Sequence, residues 1–257
     1  MNNFIRLVAN ENMKIYSRPR TWVMLGLLAL FSLAMPVLLY LTGADMDLWT
    51  VFTWTESFTY LLNIIFAVVI ASDLVAGEFS WGTIKLLLIR PWSRGKILFS
   101  KYIAMLLFGL LGTVILSVVG IVSSALLFSG NQAMGAGFEQ SRMLDSMLLV
   151  LTDLIQLVVI ATITFMLSTV FRSSSLAIGL SLLILFTKDL FGMLFNPEKH
   201  VWAKYVLLLH TDLSVYIHSP VGPGGTSLAF SIAILAGYSI LFLLISWWVF
   251  TKRDVTT

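Results

Sequence analysis

Few side chains in this chain have the type and spacing that chemistry needs. There are no cysteines, which excludes disulfides, thiolate metal sites and cysteine nucleophiles. His200, His210 and His218 are spaced unlike any ligand motif, and a metal site would need them to converge with supporting partners. Gly77 to Thr83, GEFSWGT, has the glycine spacing of a phosphate loop. Thr83 stands where that loop needs Lys for the phosphates, and the segment follows an apolar run too long to be a buried strand. Nucleotide binding is excluded here, so any ATP must be bound by another polypeptide. No nucleophile or acid/base pair argues for an enzyme, and no cofactor is expected in this chain.

Two other groups remain. Asp153, Gln156, Lys188 and Asp189 lie inside apolar runs. Ionisable residues at membrane depth are functional candidates because their burial in hydrocarbon is costly. The plainer alternatives are a paired structural cluster or groups at headgroup level. Asp153 and Gln156, three apart, share a helical face. The second group is the segment 77–101, GEFSWGTIKLLLIRPWSRGKILFSK, with Lys85, Arg90, Arg94, Lys96 and Lys101 against one carboxylate, Glu78. Phe79, Trp81 and Trp92 add apolar anchors of the kind that dominate interfaces, and Gly82 and Pro91 break the segment into short pieces. Basic residues beside lipid headgroups are a plainer account of Lys96 and Lys101, but they leave Glu78 unexplained.

These residues must be positioned by helices. The chain is 58% hydrophobic and 11% charged, with mean hydropathy +0.94; a soluble domain would carry about a quarter charged residues. Six runs near the roughly 20 residues needed to cross hydrocarbon predict an all-α integral membrane protein. They cover Thr21–Leu41, Phe58–Ala76, Tyr102–Phe128, Ser146–Val170, Ser174–Phe195 and Ser227–Phe250. Gly109, Thr113 and Ser117, then Gly120 and Ser124, form a small-residue stripe for close helix packing. Residues 1–20 read as an interfacial helix, with Phe4, Leu7, Val8 and Ile15 on one side and Glu11 at its edge. The first run reads as a retained anchor.

With the N-terminus inside, twelve of the sixteen Lys/Arg face the cytoplasm. The first outer loop, Thr42 to Ser57, holds Asp45, Asp47 and Glu56 but no cation. The positive-inside rule then puts both termini in the cytoplasm. The net charge of +3 belongs to loops beside apolar runs and does not indicate nucleic acid. Residues 196–225 form the longest outer stretch and read as short membrane-dipping helices ended by Pro220 to Gly225.

The order Glu78-Phe79, Gly82-Thr83, Leu86 to Ile89, Pro91-Trp92-Ser93-Arg94 and Lys101, set in this topology, resembles the ABC-2 type permeases. These are membrane subunits of bacterial ABC transporters whose ATPase is a separate chain. The resemblance covers the whole chain in topology and has sequence detail only in 77–101. It implies a single permease domain, 1–257, in the bacterial cytoplasmic membrane. It further implies a cytoplasmic coupling loop (77–101) and an outer gate (196–225). Glu78, Phe79, Trp81, Gly82, Thr83, Arg90, Pro91 and Arg94 would engage cytoplasmic ATPase subunits that hold ATP and Mg. A second permease, identical or related, would complete the membrane part. The apolar spans favour export of an amphipathic or hydrophobic peptide, lipid or drug. The alternatives are an ion-coupled secondary transporter built on Asp153, Lys188 and Asp189, and a non-transporting immunity or anchor protein. Glu78 and Phe79 lie outside hydrocarbon, so changing them is expected to spare folding.

Overall fold

The computed structural model describes residues 2–82, 92–129, 136–195, 197 and 200–252; side chains of residues 2, 3, 136–140, 189, 192 and 193 are outside this description. Among the described residues the fold is all helical. In chain order come α1 (Asn2–Tyr16), α2 (Pro19–Leu41), α3 (Leu48–Ser80), α4 (Arg94–Phe128), α5 (Ala136–Phe171) and α6 (Ser174–Leu194). After 3₁₀ turns at Val201–Tyr205 and Leu207–His210 come the single turn α7 (Val215–His218), a turn at Pro223–Gly225 and α8 (Leu228–Lys252).

Five helices are long and apolar enough to cross a membrane: α2, α3, α4, the Ser141–Phe171 part of α5, and α8. In α6 only Ser174–Lys188 was scored, as a shorter apolar helix. α3 is central, packing against α2, α4, α5 and α6, while α8 lies on α5 and α4. One core joins α1, α2 and α4 to the C-terminal half of α3 around Leu28, Val75, Met105 and Phe108. A second joins α3, α5 and α6 to the 207–213 turns and α8 around Val68, Leu157, Ile160 and Leu213.

The small residues of α4 seat these neighbours. A methyl group on Gly109 would lie 2.6 Å from Leu157, and one on Gly112 2.2 Å from Asn63. Asn63 in turn donates to Thr113 at 3.0 Å. Gly120 faces Phe52 and Thr55. The stripe therefore packs helices within one chain.

Three boundaries differ from the sequence reading. α3 begins at Leu48, capped by Asp47, whose carboxylate accepts from the Thr50 amide. Glu56 is thus two turns inside a helix and not in the first outer loop. Its segment looks like a loop because it is polar, yet Thr55 and Thr59 turn their hydroxyls back onto the carbonyls of Val51 and Thr55, which satisfies them inside the helix. At the other end α3 runs through Glu78 and Phe79 to Ser80, and α4 starts at Arg94. The predicted loop 77–101 is therefore helical at both ends.

Candidate functional site

The helix ends around residues 78–101 carry a buried charged node. α1 brings Glu11 and Lys14, α3 brings Glu78, and α4 brings Lys101. Lys101 Nζ donates to Glu11 Oε2 at 2.8 Å and to Glu78 Oε1 at 2.6 Å. Lys14 Nζ donates to Glu11 Oε1 at 2.7 Å and Glu78 Oε1 at 2.9 Å. Lys101 is 1% exposed and Glu11 2%, while the Lys14 side chain is 46% exposed. The two acids and two amines balance, which is the condition for charges to remain ionised away from water.

Next to it, Arg18 and Arg20, flanking the start of α2, both pair with Asp73 of α3. Ser168 of α5 donates to the Ser72 carbonyl and accepts from the Ala76 amide, at 2.6 and 3.0 Å. The last two turns of α3 are therefore held by α1, α2, α4 and α5 together.

Glu78 was expected to offer a charge to a partner surface. It is instead 8% exposed and faces Lys101 and Lys14. A reversal to Lys would put a third cation in the node, so folding would not be spared as the sequence reading expected. Lys101, which read as a headgroup contact, is among the most buried side chains present. Phe79 is half-buried under the Arg172 guanidinium, 4.4 Å from its ring centre. Trp81 is 60% exposed and carries Arg18 on its face at 4.3 Å. Gly82 has φ +68, the left-handed conformation that closes a helix and favours glycine. Thr83, Arg90 and Pro91 lie outside the described residues. Arg94 donates to the Thr251 carbonyl of α8 at 3.1 Å, and Trp92 packs on the first core.

Sequence reasoning missed Glu11, Lys14 and Asp73. Glu11 sits four residues from both Leu7 and Ile15, and all three are buried. An acid in the middle of an apolar stripe was the available signal.

The node makes stability depend on pH in a defined window. Burial pushes the Glu11 carboxyl up, but Lys101 and Lys14 outweigh it and leave it below its ordinary 4.5. Burial pushes Lys14 down, but Glu11 and Glu78 leave it above its ordinary 10.5. A lowered acid contributes stability above its unfolded value and loses it as pH falls through the folded one; a raised amine does the reverse. Thermal unfolding in detergent should therefore show a plateau between about pH 5 and 10, falling on either side. Glu11→Gln should flatten the acid limb.

At the opposite end of the bundle, Tyr60 donates to the Asp153 carbonyl at 2.6 Å. Asp153 is within electrostatic reach of Lys188, Asp212 and Glu56. Asp153 and Lys188 are thus brought together, Gln156 is buried on α5, and the Asp189 side chain lies outside the description. Glu56 is fully buried, and neither of its carboxylate oxygens has a hydrogen-bond partner.

Nearby, the fully buried His210 accepts or donates at Ser231 through Nδ1 at 2.7 Å. Its Nε2 meets the Lys204 carbonyl at 2.7 Å and must carry the proton. Tyr216 joins the same Ser231 hydroxyl at 2.7 Å. His210 is a satisfied histidine tying the 201–218 turns to α8. Among the described residues no group of His, Asp and Glu is arranged to hold a metal.

Apolar helices of this length, with their charges confined to the bundle ends and interior, define a multi-pass membrane protein. The chain belongs to the family described as protein of unknown function DUF2705, whose model matches residues 22–256. It is 33% identical over 313 aligned positions to the uncharacterized protein YhcI of Bacillus subtilis (strain 168), covering 98% of this chain and 99% of the relative. It is 28% identical over 248 residues to the uncharacterized membrane protein YdbK of the same organism, covering 95% and 99%.

Proposed function

We propose that this chain is the membrane-spanning permease subunit of an ATP-driven exporter, with ATP hydrolysed by a separate cytoplasmic subunit. The observation that carries the reading is the node of Glu11, Lys14, Glu78 and Lys101. It ties together both ends of the 81–93 segment and α1. A partner that moves this segment pulls on α3 and α4 at once, and through Glu11 on α1. A plain connector needs no such bracing. Trp81, exposed at the point where α3 stops, supplies an anchor for that partner.

The rest of the topology follows the same reading. α6 is the fifth of six spans, and both termini face the cytoplasm, as the distribution of Lys and Arg requires. α1 lies along the interface: besides the face it buries on α4, it exposes Ile5, Ala9 and Met13 at four-residue spacing, a second apolar stripe for lipid. A second permease copy or a related chain completes the membrane part, and the substrate is amphipathic or hydrophobic. Asp153, Lys188 and Glu56 at the opposite end favour one rival reading, an ion-coupled secondary transporter.

Affinity purification of the tagged chain from its own membrane decides between them. An ATP-hydrolysing subunit is expected to co-purify, and to be lost when residues 81–93 are replaced by a Gly/Ser linker of equal length. A chain that purifies alone and by itself carries a proton or sodium flux across reconstituted vesicles overturns the ATP-driven reading in favour of the ion-coupled one.

A further inference from the structure

A cavity of about 360 Å³ opens between the N-terminal turns of α3, the start of the apolar part of α5 and the 214–218 turn. Its walls are Trp49, Trp54, Leu149 and Ile217. The hydroxyls of Thr53 and Ser146 meet across it at 3.0 Å. Arg142 also lines it, but pairs with Asp47 and Thr50. Asp145 supplies a further carboxylate on the lining.

What lies beneath the cavity gives it a sign. Glu56 is three residues beyond Thr53 on α3, and Asp153 is four beyond Leu149 on α5, so each continues a face that lines the cavity. Helical side chains lean toward the N-terminus of their helix, which carries Glu56 back over the turn of Phe52 and Thr53. Asp212 stands two residues before Ser214, a lining residue. Three carboxylates thus adjoin the floor, with Lys188 the one cation acting on Asp153. Independently of that cluster, Glu56 is wholly buried with both oxygens unpartnered. A buried acceptor pair without a donor is rare and calls for one.

We propose that this cavity binds an organic cation, an amine or ammonium carried on an apolar or aromatic body. The two tryptophans offer faces that attract a cation, Leu149 and Ile217 accommodate the apolar body, and the unpartnered Glu56 accepts the ammonium hydrogens. An anion would meet three carboxylates, and a neutral apolar ligand would leave Glu56 without a donor. The site concerns what is bound and stands apart from how transport is powered.

The test uses the purified full chain in nanodiscs of neutral lipid, without any ATPase. Calorimetric titration compares 2-phenylethylamine, a cation at pH 7, with the neutral 2-phenylethanol and the anionic 3-phenylpropionate. Saturable one-site binding is expected for the amine alone. Affinity should fall about tenfold or more in Glu56→Gln and in Trp54→Ala. A hydrophobic carbodiimide should modify Glu56, and the amine should slow that modification. If Glu56→Gln fails to fold, Trp54→Ala and Asp145→Asn at the mouth carry the comparison. Equal binding of alcohol or anion, non-saturable partition of the amine, or unchanged affinity in every folded variant overturns the proposal. Each of these outcomes leaves the ATP-driven reading standing, because no ATPase takes part.

Discussion

Lys101→Met should be among the most destabilising single changes in this chain. The ammonium it removes is 1% exposed and joins Glu11 and Glu78. Without it, Lys14 alone faces two carboxylates, and the node carries a net negative charge away from water. Removing one partner of a buried ion pair costs about 3–5 kcal/mol because the other charge stays buried and uncompensated. For a chain of this size that is roughly a 10 °C fall in melting temperature. Thermal unfolding in detergent measures it. The triple variant Glu11→Gln/Glu78→Gln/Lys101→Met should recover most of the loss, since it removes the uncompensated charges and leaves Lys14 able to reach solvent. A single variant as stable as wild type, or a triple variant worse than the single, would contradict an ionised, balanced node.

The second large effect is on association. Trp81→Ala should weaken binding of the ATPase subunit by about 2 kcal/mol, close to thirtyfold, if the indole is a buried anchor in the complex. In the chain alone the loss is slight, because Trp81 is 60% exposed and its one recorded contact is with Arg18; a surface cation–π contact is worth about 0.5–1 kcal/mol. That separation makes Trp81 a better probe than Glu78, whose substitution disturbs the node before any partner arrives. The measurement is ATPase co-purification alongside a melting curve for the variant chain, with Lys252→Ala as the control that leaves both unchanged. Undiminished co-purification of the Trp81 variant would remove this residue from the docking surface.

The spans were legible where the chain is uniformly apolar. α2 and α8 begin and end within two residues of their sequence runs because Leu, Ile, Val and Phe fill them without interruption. α3 was cut short by ten residues at its start because Thr53, Thr55, Glu56 and Ser57 carry no periodicity of their own. Only burial against α4 makes that stretch helix interior, with Thr55 against Gly120. The node was half legible. Glu78 and Lys101 stood out as charges at the edges of apolar runs, but their pairing with each other and with Glu11 spans 23 and 90 residues. Contacts between distant elements leave no trace in local spacing. The carboxylates at the other end were read singly for the same reason. Asp153 and Lys188 were named, whereas Glu56, assigned to a loop, was not.

The node also orders events during synthesis. Glu11 is made ninety residues before Lys101, the cation that lets it leave water. Until α4 emerges, Glu11 and the later Glu78 share only Lys14, and seating α1 would bury an unbalanced charge. The first helix to be made is thus among the last to take its place, and the arrival of Lys101 is the event that releases it from solution.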